Sequence, residues 1–388
     1  SGCHVRVIGQ TPSPVNYFTI CNEGIDGGVQ ITASHNPKED NGIKLQVRNA
    51  DAYSGGSLQK LYKKIVQEDV LTGEGMVEEI DAVTPYLNHV CALFPDIGDG
   101  MNIVIDSGNG VAGPVYKEAA CIVGASVTGL FIEPDGTFPN HAADPSKYDT
   151  LKDLQASVKE TASDMGLAFD GDGDRLGLVD ENGVIRTADE ILLLLARDHL
   201  ERNPGRAVVF TVSNSGALES EITAWGGRPV MTTVGHSFVE HAMRDNHALL
   251  GGEQSGHFFC SEGYFGFDDA LVSALRIMQI VKVSGRTLSE LCSDFPTVYQ
   301  MPENRPDCPD DKKSEIVRSV TAHFSADYPV NDLDGVRIDF GEGAWAGVRQ
   351  SNTSPKLSIC IEARSEEHLK EVETIVFDHM KTYPDISL

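Results

Sequence analysis

The sequence predicts an α/β protein that ends in a smaller α+β unit. Three observations carry this prediction: a recurring order of apolar strand, Gly/Ser/Asn-rich turn and amphipathic helix; the return of that order in a second, distant stretch; and a change of pattern near the C-terminus. In the first stretch, residues 101–106 read as a strand, Ser107-Gly108-Asn109-Gly110 as a turn, and a helix leads to a second strand near 125–130. The second stretch repeats this with a strand at 207–212, the turn Ser213-Asn214-Ser215-Gly216, a helix, Gly226-Gly227 and a strand at 229–232. Between them, Thr187-Ala188-Asp189-Glu190 has the spacing of a capping box, which opens a helix to about residue 201 that Asn203-Pro204-Gly205 ends. Residues 268–283 form another helix, closed near Gly285. In the last part, 335–340 and 357–362 read as strands around a polar loop, and Ser365 caps a helix to about residue 381. Boundaries near 82, 184 and 297 follow, giving segments 1–82, 83–184, 185–297 and 298–388.

The totals narrow the function. With 388 residues, 40% hydrophobic and 23% charged, the chain has the mix of a soluble globular protein of several domains. A net charge of −27 repels nucleic acid and anionic membranes, so neither is expected as a partner. Any site for an anionic substrate must gather its cations locally. No apolar run is long enough to span a bilayer, and no signal segment is visible. The eight cysteines are scattered without a C-x-x-C pair, as expected of reduced thiols in a cytoplasmic protein.

Four motifs carry chemistry, and each has a plainer reading. In Thr32-Ala33-Ser34-His35-Asn36-Pro37, Pro37 disfavours helix just before it and presents Ser34 on a turned loop, as a nucleophile or simply as a turn residue. The G-x-S-x-G elbow of the α/β-hydrolases is absent. Asp170-Gly171-Asp172-Gly173-Asp174-Arg175 lies between the strands 166–169 and 176–179. Its carboxylates at every second position suit a hard cation such as Mg²⁺, and its glycines let the backbone fold around one; the plainer reading is a solvated acidic turn. An EF-hand is excluded, because Arg175 stands at the sixth loop position and strands flank the loop. Gly252-Glu253-Gln254-Ser255-Gly256-His257 suits sugar hydroxyls and suits an ordinary polar turn equally well, while Val234-Gly235-His236-Ser237 is weaker still. Arg349-Gln350-Ser351-Asn352-Thr353-Ser354-Pro355-Lys356 combines an arginine, hydroxyls and an amide as a phosphate nest does, or as a solvated loop does.

Taken together and in this order, the four motifs resemble the α-D-phosphohexomutase superfamily, over nearly the whole chain. The resemblance implies three similar α/β mixed-sheet domains plus a C-terminal α+β domain around a central cleft. It implies a phosphoserine at Ser34, with Asp170, Asp172, Asp174 and the Ser34 phosphoryl group binding Mg²⁺, and Arg175 steadying that phosphate. Lys44, in Asn41-Gly42-Ile43-Lys44, and His35 become candidates for general acid and base. Glu253 and Ser255, with His236, would hold sugar hydroxyls; Arg349, Ser351, Asn352 and Thr353 would grip the phosphate that is not being transferred. The implied reaction moves a phosphoryl group between the 1- and 6-positions of a hexose phosphate, with hexose 1,6-bisphosphate as intermediate and activator. Val234-Gly235-His236-Ser237 and Phe265-Gly266-Phe267-Asp268-Asp269 resemble the phosphomannomutase/phosphoglucomutase branch, which points to mannose and glucose phosphates.

Two departures from the pattern matter. Relatives begin with an additional strand-rich segment carrying a Tyr/Arg-containing motif, whereas here Ser34 comes early and the chain begins without Met. The expectation is a first domain lacking part of its sheet, with an exposed strand edge and reduced activity if this chain acts alone. Many mannomutase relatives also carry Lys three residues before the His, where this chain has Thr233. The rival readings are phosphoglucosamine mutase, a phosphatase that discharges Ser34 to water, and a non-catalytic sugar-phosphate binder.

Overall fold

The computed structural model describes residues 2–69, 71–351 and 354–387. It divides into two compact units, Ser1–Asp198 with Leu249–Ser293, and His199–Ala248 with Asp294–Leu388. The first boundary falls inside the helix Ala188–Arg202, whose capping box forms as its sequence requires: Thr187 N donates to Glu190 Oε2 at 2.8 Å, and Glu190 N to Thr187 Oγ1 at 3.1 Å.

The first unit is built on a five-stranded mixed sheet in the order Ser126–Leu130, Asn102–Asp106, Met165–Phe169, Leu176–Asp180, Ile185–Arg186. The first two strands and the pair Asn102–Asp106/Met165–Phe169 run parallel; Met165–Phe169 and Leu176–Asp180 form an antiparallel hairpin. Both hairpin strands are buried along their length, which accounts for their apolar runs without alternation. Helix Lys152–Thr161 supplies Leu154 and Val158 to a core with Val104, Leu151, Ala168 and Val179. The buried hairpin thus holds the aspartate-rich turn 170–175 on a rigid base.

The N-terminal part of this unit is built differently. Helix Ser13–Glu23 is buried through Ile20, while strands Gly27–Ile31 and Ile43–Val47 form a two-stranded antiparallel pair and His4–Val7 pairs in parallel with Met76–Glu79. Val29, Ile31 and Ile43 are exposed. Helix Gly55–Val66 buries none of its residues, although Leu58, Tyr62, Ile65 and Val66 share one face. Farther on, the hairpin Leu250–Gly252/Phe258–Cys260 carries the loop 253–257. Helix Ala270–Ser284 begins two residues later than the sequence predicts, because Asp269 is its cap and accepts Val272 N at 3.0 Å.

In the second unit, Ala207–Thr211 and Arg228–Thr232 pair in parallel, with helix Gly216–Ala224 between them in sequence. The C-terminal part is an antiparallel sheet in the order Tyr299–Gln300, Leu357–Ala363, Ala344–Gln350, Val336–Gly341, Val330–Asn331. Helices Asp310–Phe324 and Glu366–Met380 pack on it around Ile338, Ala346, Ile359, Val372 and Val376. This corrects the sequence reading of 341–356 as a polar loop. Ala344–Gln350 is a strand whose buried Trp345 packs under the Arg337 guanidinium, 3.5 Å from the ring centroid. The glycines at 341, 343 and 347 obscured its period. Among the described residues, which include all eight cysteines, there is no disulfide, and no helix is long and apolar enough to cross a membrane.

Candidate functional site

Strand Gly27–Ile31 ends in the turn that carries Ser34, which has a left-handed backbone (φ 53°) stabilised by Ser34 N donating to Thr32 Oγ1 at 2.8 Å. Its antiparallel partner brings Lys44 opposite Gln30. The aspartate turn comes from the buried hairpin of the central sheet and meets the Ser34 turn closely. A Cβ on Gly171 would lie 2.3 Å from the Ser34 carbonyl oxygen, so only glycine fits there.

Asp170, Asp172 and Asp174 are all buried, with one carboxylate oxygen from each within 4.8 Å of the others. Asp170 Oδ1 accepts the backbone N–H groups of Gly173, Asp174 and Arg175 at 3.0, 3.1 and 3.2 Å, which turns the loop around it, and Asp170 Oδ2 accepts Ser34 Oγ at 3.0 Å. Asp172 accepts Ser13 Oγ at 2.8 Å, tying the loop to the first residue of a helix. Lys44 Nζ donates to Asp172 Oδ2 at 2.8 Å and also to Asp174 Oδ2. Asp172 Oδ1 is buried without a hydrogen-bond partner among the described residues. Clustered hard oxygens, with Asp174 Oδ1 as well as Asp172 Oδ1 lacking a hydrogen-bond partner among the described residues, fit a metal ion in this turn.

The electrostatics are divided sharply. Burial and the neighbouring Asp174 and Asp172 carboxylates push Asp170 well above the usual carboxylate range. Asp174 is held well below it: burial works the other way, but Lys44 and His257 outweigh it. Lys44, although partly buried, is raised well above its ordinary value by Asp172 and Asp174 and stays protonated. His35, whose Nδ1 lies 3.2 Å from Ser34 Oγ, is lowered to about 4 by burial and by the Arg175 guanidinium, so it is uncharged near neutrality.

The loop 253–257 joins this cluster through the backbone: Leu176 N donates to Gly256 O at 3.0 Å, and Arg175 bridges to His257. Ser255 Oγ lies 2.9 Å from His257 Nδ1, and Glu253 Oε2 is 3.6 Å from the same nitrogen. His257 Nε2 lies 3.3 Å from Asp174 Oδ1, with Arg175 Nε donating to it at 3.4 Å. Ser34, His35, Lys44, the three aspartates, Arg175, Glu253 and Ser255 therefore all fall in the first unit, with the aspartate turn linking their segments. His257 was missed by sequence reasoning, although it closes the motif that carries Glu253 and Ser255. Asp144 was missed too; it is buried, with Oδ1 3.9 Å from Arg175 Nη1, and no sequence signal marks it.

The remaining predicted residues lie in the second unit. His236 is the first residue of helix His236–Asn246 and is half-buried. Arg349 is the penultimate residue of the strand Ala344–Gln350, and its buried Nε has no hydrogen-bond partner among the described residues. Ser351 is buried; its N–H donates to Lys356 O at 2.9 Å, and its Oγ accepts Arg305 Nη2 at 2.9 Å. Asn352 and Thr353 lie outside the described residues. Arg305 is a second cation at this turn that the sequence did not reveal, because it stands 46 residues upstream.

Comparison with known proteins identifies the family of the chain. Family models described as phosphoglucomutase/phosphomannomutase alpha/beta/alpha domains I, II and III match residues 1–71, 84–183 and 187–299, and the C-terminal domain of the same family matches 304–379. The phosphomannomutase/phosphoglucomutase of Pseudomonas aeruginosa is 39% identical over 383 residues, covering 98% of this chain and 82% of its own. A phosphoglucomutase of Neisseria gonorrhoeae is 37% identical over 379 residues, 96% of this chain and 81% of its own. The crystal structure of a phosphoglucomutase/phosphomannomutase family protein from Burkholderia thailandensis superposes with a TM-score of 0.92 at 32% identity, covering 99% of this chain and 84% of that one.

Proposed function

The chain belongs to the phosphoglucomutase/phosphomannomutase family, and we propose that it moves a phosphoryl group reversibly between the 1- and 6-hydroxyls of mannose or glucose phosphates by way of Ser34. The observation that carries this reading is Ser34 Oγ, 3.0 Å from Asp170 Oδ2 at the edge of a buried triad of aspartates. In the first transfer, a sugar hydroxyl gives up its proton and its oxygen bonds to the phosphorus on Ser34 as the Ser34 Oγ–P bond breaks; Ser34 Oγ gains a proton, and hexose 1,6-bisphosphate forms. In the second, Ser34 Oγ takes the other phosphate and frees the isomeric monophosphate. Uncharged His35 is placed to accept a proton at Nδ1 from Ser34 Oγ, and protonated Lys44 to counter the charge on Asp172 and Asp174.

Asp170, Asp172 and Asp174, with the Ser34 phosphoryl oxygen, would hold Mg²⁺, which supplies charge neutralisation to the phosphoryl oxygens. Arg175, steered by Asp170, Asp144 and His257, faces the same charge. Glu253, Ser255 and His236 are assigned to sugar hydroxyls, and Arg349, Ser351, Asn352 and Thr353 to the phosphate at the far end of the sugar. The two ends of the substrate exchange places between transfers, so charge and hydrogen bonds serve better here than a close apolar mould. We assign segments 1–82, 83–184, 185–297 and 298–388 as the four domains, and a cytoplasmic location.

Phosphorus NMR tests the proposal. The chain with Mg²⁺ and a trace of glucose 1,6-bisphosphate converts mannose 1-phosphate or glucose 1-phosphate to the 6-phosphate, and the Ser34→Ala variant does not. Release of inorganic phosphate without isomer would identify a phosphatase instead, and binding without turnover a sugar-phosphate binder.

A further inference from the structure

Lys313 stands on the core-facing stripe of helix Asp310–Phe324, in register with Ile316, Val317, Val320 and Phe324, and is itself buried. A stripe at this spacing ordinarily takes an apolar side chain, and a buried ammonium is unfavourable unless its donors are met. They are met in full. Nζ donates to Ser351 O at 2.9 Å and Ser354 O at 3.0 Å, and it pairs with Asp310 Oδ1 at 2.6 Å. An ammonium has three N–H donors, so none remains for a ligand. Whatever binds at this turn feels Lys313 only through the two residues whose carbonyls it holds.

We propose that Lys313 is a positioning residue of the phosphate grip, a proposal that rests on reading Arg349 and Ser351 as members of that grip. Its ammonium fixes Ser351 and Ser354 to a helix set in the C-terminal core. It also engages two carbonyl oxygens whose negative ends would otherwise repel an incoming phosphate. The Ser351 hydroxyl is held at the same point by Arg305 Nη2 at 2.9 Å and Ser354 Oγ at 2.8 Å, which leaves it aimed rather than rotating freely. The buried charge thus serves the loop, since the helix packing would be met as well by methionine.

The test compares Lys313→Met, Lys313→Arg and Val320→Ala with the parent chain in the mutase assay, with glucose 1-phosphate as substrate and below the unfolding transition of each. Lys313→Met raises KM tenfold or more with kcat within about twofold, because phosphate binding weakens while the Ser34 chemistry is intact. Lys313→Arg, which keeps donors for both carbonyls, recovers most of that loss. Val320→Ala lowers the thermal midpoint and leaves KM unchanged. Should Lys313→Met not fold, Lys313→Gln, with fewer donors, takes its place with an intermediate rise in KM. A wild-type KM in Lys313→Met, or in Lys313→Gln where that replaces it, or an equal rise in Val320→Ala, overturns the proposal. A parent chain inert towards every hexose phosphate overturns instead the functional reading on which it stands.

Discussion

In the proposed reaction, the turn 170–175 and the turn 349–356 would solve opposite problems in handling phosphate. The first gathers three buried carboxylates and surrounds them with Lys44, Arg175 and His257; it repels anions until a cation is present. The second sets Arg349 and Arg305 beside hydroxyls and carbonyls, and needs no added charge to attract an anion. The difference assigns them separate tasks. A site whose charge is completed by a metal suits a group in transfer, where charge shifts between oxygens. A site of fixed cations suits a phosphate that must simply be held.

Changes in the first turn should therefore reduce kcat, and changes in the second should raise KM. The largest effect is expected from Gly171→Ala, because its Cβ cannot coexist with the Ser34 carbonyl at 2.3 Å. Displacing the nucleophile from the aspartates by even an ångström should lower kcat on the order of 100-fold, measured by steady-state isomerisation. Lys44→Met comes next. Removing the cation shared by Asp172 and Asp174 should lower kcat roughly 100-fold with the fold retained by circular dichroism. An unchanged kcat in either variant would break the proposed division of labour.

A pH series sharpens it further. Asp170 lies well above the usual carboxylate range, so the metal-free turn takes up a proton at higher pH than a free carboxylate does, and a cation competes with that proton. Mg²⁺ affinity by calorimetry should rise with pH through the Asp170 titration, with proton release growing as Asp170 is more fully protonated. The smallest effect belongs to Arg305→Ala. Removing this exposed guanidinium takes away its bond to the Ser351 hydroxyl and a long ion pair with Glu303 at 3.9 Å, and KM should rise a few-fold without change in kcat, an increase that added salt erodes.

Much of the site could be read along the chain, because its parts are local. Ser34 in its turn, the alternating aspartates and glycines of 170–174, and the hydroxyls of 351–354 announce themselves by spacing. Turn chemistry acts between residues a few positions apart. His257 could have been read the same way, since it ends a recognised motif. Asp144, Arg305 and Lys313 could not: Asp144 resembles any loop aspartate, and Lys313 resembles the surface lysine beside it.

The sequence by itself determined the α/β class, the capping box at Thr187 and the cap at Ser365, and the identity of the acidic turn. Helical and strand periods and N-cap hydrogen bonds are short-range, so they are written in neighbouring residues. Only the tertiary structure decided which cation meets which carboxylate. Lys44 reaches Asp172 across 128 positions and Ser13 reaches it across 159, while Lys313 closes a turn 38 residues away. Pairings of that kind depend on strand register and helix orientation, which are set by the packing of the core and leave no period in the chain.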